Sequence, residues 1–365
     1  MFRLMLPILL GLSACSDNKD ENQGEVLDAD ADADADADTD ADADADTDAD
    51  ADADGTPEPC TAEVTELSPD DGDDGFYYRD ALSVEFDMRP EETVSFSLKD
   101  SAGAEVDIEL AWNETHYETV AITGELTGNE SYTLTATCAN EMSATFTTSE
   151  YGAPLASETA SLLGNVYELD LPNANFAEPP GVGALLGAYL AYPLLASVDA
   201  VSEDELTLVV AQGIWDDDGV PSQDLGTDVY NFPPADFSAA PYFSADTDLI
   251  NITYTSGSVS TAIPMYNMHL EGTFSPDATS LGGAWIGGLV DTSELGSLLE
   301  LGSGESVVCD YLDSFGLGCV DCADGSEPDG EGTDLCIYIE AYFDDAALVE
   351  GLTLDTDPLG TSEGG

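Results

Sequence analysis

Four cysteines crowd the C-terminal third of the chain in the pattern Cys309-x9-Cys319-x2-Cys322-x13-Cys336, and two more, Cys60 and Cys138, bracket an earlier segment. Thiols at such spacings can hold zinc, work as a redox pair across Cys319-Val320-Asp321-Cys322, or close disulfides. The redox reading lacks a strand-then-helix context. Oxygen ligands of the kind calcium takes are offered by Asp216-Asp217-Asp218-Gly219 and by the acidic, glycine-rich stretch Asp321–Asp334. Asp50, Asp52 and Asp54-Gly55 copy the start of an EF-hand loop, but its twelfth position is Thr61 rather than a bidentate Glu. Calcium is therefore the one cofactor with ligands to offer, and no residue set fixes it. Imidazole bases number two, His116 and His269, and no H-E-x-x-H occurs. Gly360-Thr361-Ser362-Glu363-Gly364 satisfies G-x-S-x-G without a helix to follow the serine, and reads as flexible tail. Tyr230, Phe232, Phe237, Tyr242 and Phe243 lie among Pro233, Pro234 and Pro241 in an expected loop. Exposed aromatics beside carboxylates suit the apolar face and hydroxyls of a sugar; the plainer reading has them packed over a sheet edge or barrel mouth.

Charge narrows the field. The chain carries 77 Asp and Glu against 5 Lys and Arg, a net charge of −72, and no Lys or Arg follows Lys99. Nucleic-acid binding needs cations to replace counterions along phosphates, so it is excluded. Clamping phosphate or carboxylate substrates with Arg or Lys, and docking on anionic lipid through a basic patch, fall with it. Carboxylate pairs for glycoside hydrolysis would arise in almost any fold of this composition, so they point nowhere.

Met1-Phe2-Arg3 followed by the apolar run Leu4–Leu12 reads as an export signal, too short to span a bilayer. It ends in Leu12-Ser13-Ala14-Cys15, which resembles the lipobox of bacterial lipoproteins. That resemblance implies removal of residues 1–14, acylation of Cys15 and a membrane partner reached through lipid; Ser16 is compatible with the outer membrane or cell surface. Removing Cys15 leaves six cysteines in a compartment that permits disulfides. Disulfides are then favoured over zinc, and Cys309–Cys319 with Cys322–Cys336 is the preferred of three pairings.

Residues 15–59 are an expected linker. Asp alternates with Ala from 28 to 54, broken only by Thr39 and Thr47. Like charges at every second residue repel, and Ala gives no apolar face worth burying, so a disordered, extended stalk is expected. Asp/Ala/Thr tracts behind a lipobox resemble those of surface lipoproteins of myxobacteria, in architecture only. The acidity is not confined to this tract, because residues 1–59 hold only 19 of the 77 acids.

From 60 to 150 the sequence alternates like short strands: Leu82–Phe86, Val94–Leu98, Tyr132–Ala136 and Ala144–Thr147, with turn signals between them. An antiparallel sandwich follows. Leu67-Ser68-Pro69-Asp70-Asp71-Gly72, Leu98–Gly103, Ser131–Thr135 and Phe146-Thr147-Thr148 resemble, in that order, the SbsA-type bacterial Ig-like domain. The resemblance implies a spacer or adhesive module without catalysis. Cys60 and Cys138, a departure from that pattern, are expected to pair. His116, between Thr115 and Tyr117, is expected in a strand and on the surface.

Residues 151–355 suggest a mainly β domain of α+β type, an antiparallel, barrel-like sheet with short helices, and 356–365 a tail. Gly181–Ala196 is apolar throughout and is expected to be a buried helix. Strands are expected at 205–212, 249–255, 258–263, 265–274 and 280–290, a turn at Ser275–Ala278, and helices near 292–301 and 305–315. The leading expectation is a non-enzymatic surface lipoprotein with a binding or structural head whose ligand is a glycan or a protein. A secreted carboxylate-based polysaccharide hydrolase and a calcium-dependent adhesion module are the alternatives.

Overall fold

A computed structural model describes residues 59–359, apart from 91–92, 114, 117, 181–189, 191, 257–258, 300, 303, 315, 323–334 and 345. The signal and Cys15, nearly all of the linker, most of the expected Gly181 helix, most of the Asp321–Asp334 stretch and the tail from 360 lie outside the described residues. The protein is mainly β, with antiparallel sheets and two short helices.

The N-terminal strands are β1 (Val64–Ser68), β2 (Leu82–Phe86), β3 (Ser95–Asp100), β4 (Ile108–Trp112), β5 (Thr119–Gly124), β6 (Ser131–Thr137) and β7 (Glu141–Thr147). They form two sheets, ordered β1-β2-β5-β4 and β3-β6-β7, the strand order of a constant-type immunoglobulin sandwich. Strict alternation builds it: Leu82, Val84 and Phe86 on β2 and Tyr132, Leu134 and Ala136 on β6 all turn into one core. Tyr132 also makes the tyrosine corner of such folds, its hydroxyl accepting the Thr127 N–H at 2.9 Å just upstream of β6. Cys60 and Cys138 are bonded, tying the domain's first residue to the end of β6. His116 sits in the β4–β5 loop rather than in a strand; Asn113 accepts its N–H at 2.9 Å, and that local turn competes with strand pairing.

The second domain is built from β8 (Val166–Leu169), β9 (Asn175–Glu178), β10 (Leu194–Val201), β11 (Glu205–Trp215), β12 (Pro221–Gln223), β13 (Val229–Asn231), β14 (Ala235–Asp236), β15 (Tyr242–Ser256), β16 (Val259–Phe274), β17 (Ser280–Asp291), α1 (Leu295–Leu298), α2 (Val307–Asp313), β18 (Cys336–Tyr342) and β19 (Ala346–Leu348). Antiparallel pairings run β8-β10-β11-β14-β15-β16-β17-β19 and return to β8, so the sheet closes into a barrel. Closure removes the unpaired edges that an open sheet would leave. Only Ser280 and Leu281 of β17 pair with β19; the stretch from Trp285 to Asp291 pairs with β18, which in turn pairs with β9. The ring is thus closed at one end and splayed at the other, where α1 and α2 lie. In this cap Cys309–Cys319 ties α2 to the segment that follows it, and Cys322–Cys336 ties that segment to the start of β18.

Three expectations need correction. Leu194, Leu195 and Ala196 belong to β10, not to a helix; their pairing with Gln212, Ala211 and Val210 closes the barrel wall and overrides the run's helical length. The pieces expected at 258–263 and 265–274 join, over the described residues, into the single strand Val259–Phe274, because Pro264 is accommodated within the ladder opposite Asn251. Much of the aromatic stretch is strand (β13, β14 and the start of β15) rather than loop, and its side chains pack as the plainer reading expects. Tyr230, Phe232, Phe237 and Phe243 are buried in the barrel core, on or beside β13, β14 and β15. Phe243 and Phe237 pack on Phe274 at ring distances of 5.4 and 6.0 Å. Of the five, only Tyr242 points outward, and it is half-buried.

Candidate functional site

Tyr242 leads to the place where the two domains meet. A short segment before β2, Tyr77-Tyr78-Arg79-Asp80, leans from the sandwich onto the outer face of β15, β16 and β17. The barrel is notched to receive it. Pairing between β16 and β17 slips at Gly282-Gly283, a bulge of the kind that re-aims a strand. Gly283 has φ +60, and a Cβ there would stand 2.2 Å from the Tyr77 ring. Glycine is therefore required twice, for the backbone conformation and for the ring beside it. Tyr77 is buried, and its hydroxyl shares a 2.7 Å hydrogen bond with the fully buried Thr273 of β16. Tyr151 repeats the device one residue earlier: its ring covers Gly282 and its hydroxyl meets Ser280 at 3.0 Å.

Beside this joint lies a cavity of about 270 Å³ lined by Tyr77, Arg79, Asp80, Glu271, Gly283, Trp285 and Tyr342. Its centre is Glu271 on β16. One of its oxygens accepts from Tyr242 Oη at 2.6 Å and lies 3.1 Å from His269 Nε2, and the carboxylate also takes a hydrogen bond from Trp285. Burial would raise the Glu271 carboxyl, but these donors outweigh it and hold it below the usual glutamate range. The other His269 nitrogen, Nδ1, lies 2.8 Å from Asp246. The Glu271 bond raises the imidazole pKa, burial opposes it, and Asp246 adds to the rise, so the net is above the ordinary histidine value. His269 and Trp285 stack at 4.5 Å with 30° between planes, and Tyr342 follows at 6.0 Å from the indole.

Gly287 makes room for this row, since a Cβ there would come 2.6 Å from the indole. Arg79 covers the outer rim, its guanidinium 3.6 Å above the Tyr242 ring. Burial and the bond to Glu271 push the Tyr242 hydroxyl up to about 12. Burial likewise raises Tyr77 and Tyr342, so all three phenols stay neutral and polar near pH 7.

The arrangement offers an ordered surface of aromatic and polar groups. A half-buried carboxylate fixes an indole, a phenol and an imidazole in one orientation, so the aromatic surface is ordered before anything arrives. Donors and acceptors of both signs, Arg79, Asp80 and Glu271, stand at its edge.

Of the other residues singled out in the sequence, Asp216 accepts the N–H groups of Asp218 and Val220 at 2.9 Å each, so its carboxylate serves the β11–β12 turn. Among the described residues no group of three His, Cys, Asp or Glu is arranged to hold a metal. The site brings Tyr242 together with His269, both noted in the sequence, and leaves the other four aromatics inside. Sequence reasoning missed Tyr77, Arg79, Glu271, Trp285 and Tyr342. The available signals were an aromatic cluster, Phe76-Tyr77-Tyr78, beside one of the few cations and the glycine pairs of β17. No protein-family model matches this chain, and no curated protein is significantly similar to it.

Proposed function

We propose that this is an exported, lipid-anchored surface protein without enzymatic activity, whose sandwich and barrel together bind an uncharged glycan at the interdomain site. The observation that carries the reading is the pre-ordered row His269–Trp285–Tyr342 flanked by Arg79, Asp80 and Glu271 around a cavity of about 270 Å³. Aromatic faces suit the C–H face of a sugar ring, and mixed donors and acceptors suit its hydroxyls. A ligand of zero net charge escapes the repulsion that a chain of net charge −72 exerts on anions. The Asp/Ala tract behind Cys15 acts in this reading as a stalk that holds the site off the membrane.

A glycan array of the full chain and of Trp285→Ala and Tyr342→Ala tests the site. Binding by the wild type that falls at least tenfold in both variants supports it, whereas no binding by the wild type, or equal binding by all three, refutes it. For the anchor, Cys15→Ala is expected to move the protein into detergent-free soluble fractions, and persistent membrane association refutes it.

A further inference from the structure

The splayed end of the barrel holds a second cavity, also of about 270 Å³ and partly open to solvent. Leu194 of β10, Met265 of β16, Ile286 and Val290 of β17 and Ile339 of β18 form its walls, and Leu312 of α2 closes it from the cap. In a chain with 77 acidic residues, every described residue that lines it is aliphatic, methionine, proline or tyrosine, and none carries a charge. Protein interiors are close-packed, and voids larger than a water molecule are few. Water is poorly held here, because a buried water needs two to four polar partners and, among the described lining side chains, only the Tyr192 and Tyr311 hydroxyls are polar. An apolar cavity of about 150 Å³ holds benzene, so this one is the size for about ten non-hydrogen atoms.

The cap that closes the cavity is fixed in place. Cys309 in α2 bonds Cys319, Cys322 bonds Cys336 at the start of β18, and Thr292 Oγ1 donates to the Leu335 carbonyl at 2.7 Å. Cys322–Cys336 ties the segment that follows α2 to the start of β18, and Cys309–Cys319 ties α2 to that segment, so the cap is tethered at the mouth of the void. The cavity is thereby preorganised, and an occupant loses little to ordering the protein.

We infer that this cavity is a binding site for an uncharged, hydrocarbon-rich molecule of about ten non-hydrogen atoms, separate from the interdomain site and independent of it. A charged head group is excluded, because no described side chain of the lining could compensate a buried charge.

The test titrates the full chain with naphthalene and with 1-nonanol, a flat and a linear probe of this size, by calorimetry and thermal shift. Nonanoate at pH 8 is the charged counterpart, and Val290→Phe and Val308→Phe fill the void from the wall and from the cap. Saturable binding of at least one neutral probe is expected, weakened at least tenfold in each filling variant and at least tenfold for nonanoate against nonanol. The unliganded filling variants should melt no lower than wild type, since they occupy empty space. If both variants instead fold poorly, the nonanol-to-nonanoate ratio on wild type decides alone. Absence of saturable binding by both neutral probes overturns the inference, as does nonanoate binding as well as nonanol. Loss of probe binding in Trp285→Ala with none in Val290→Phe also overturns it, by placing the probe at the other site.

Discussion

Substituting Gly283 with alanine probes the joint that builds the interdomain site. At φ +60 an L-residue costs about 1–2 kcal/mol. The new methyl carbon, 2.2 Å from the Tyr77 ring, must also expel that ring from its notch. Expulsion breaks the 2.7 Å bond between Tyr77 and Thr273 and leaves the buried threonine hydroxyl only the longer 3.4 Å contact with Tyr78, adding about 1–3 kcal/mol. The sum is about 2–5 kcal/mol. In a Tyr77→Ala background the ring is already gone, and only the backbone cost of about 1–2 kcal/mol remains. Urea unfolding of wild type, both single variants and the double variant, followed by circular dichroism and by tryptophan fluorescence, measures this cycle. The two costs should be strongly sub-additive, with a coupling of about 1–3 kcal/mol. Gly283→Ala should also shift the fluorescence contributed by Trp285, which lies two residues away beside the same cavity. If Gly283→Ala costs the same with and without the Tyr77 ring, the contact does not hold the domains and the reasoning fails.

Three further outcomes follow from the same geometry. The folded pKa of His269 lies above its ordinary value of 6.5, so its contribution is complete below about pH 6.5 and is lost as pH rises through the raised value. Glu271 is lowered from 4.5, so its share is present above that and lost as pH falls through the lowered value. His269→Gln should therefore lower the melting temperature by about 3–6 °C at pH 5.5 and by clearly less at pH 8.5; a pH-independent loss contradicts the ion pairing.

Glu178 faces Glu340 across β9 and β18, and burial together with that neighbour raises its pKa. Glu178→Gln should accordingly stabilise the barrel by about 0.2–1 kcal/mol at pH 7, an advantage that fades as pH falls toward 4, and a destabilised variant at pH 7 would speak against repulsion. Removing Cys60–Cys138, whose partners are 78 residues apart, should cost about 4.5 kcal/mol in the chain-entropy picture. That exceeds the roughly 2.7 and 3.0 kcal/mol for the bridges of separation 10 and 14; calorimetry of the three Cys→Ser pairs should return this order.

The sandwich was legible because its strands obey local rules. Leu82-Ser83-Val84-Glu85-Phe86 alternates and is β2 to the residue, and Tyr132 stands in an alternating run that is β6. The disulfide pairs were legible for a different reason, an even count once Cys15 is set aside and two short separations that suit local closure. The barrel is legible in part: β17 matches its expected span to within a residue, whereas β15 is longer than its expected piece and β16 joins two expected pieces. Pro233, Pro234 and Pro241 suggested a loop where the chain makes β13, the two-residue β14 and the start of β15, and a two-residue strand has no periodicity to detect. Leu194–Ala196 read as helix because a fully buried strand carries the same unbroken apolar run.

The interdomain site is legible only in fragments, Tyr242 and His269, because local pattern does not show which residues meet. Its members sit at 77–80, 242, 269–271, 285 and 342, and a bulge on one domain and a tyrosine on the other bring them together.

The barrel's first and last strands lie side by side, with Tyr167 opposite Leu348 and Glu168 opposite Ala347. The domain therefore takes the chain in and lets it out at neighbouring points of its rim. It can be spliced into a surface loop of a host protein with little stretching of the host. It can also be recut: a short bridge joining β19 to β8, with new termini opened in the Ser275–Ala278 turn, would leave every rung of the ladder paired. Such a permuted barrel would carry the sandwich at a different address and so separate what the barrel binds alone from what it binds with its neighbour.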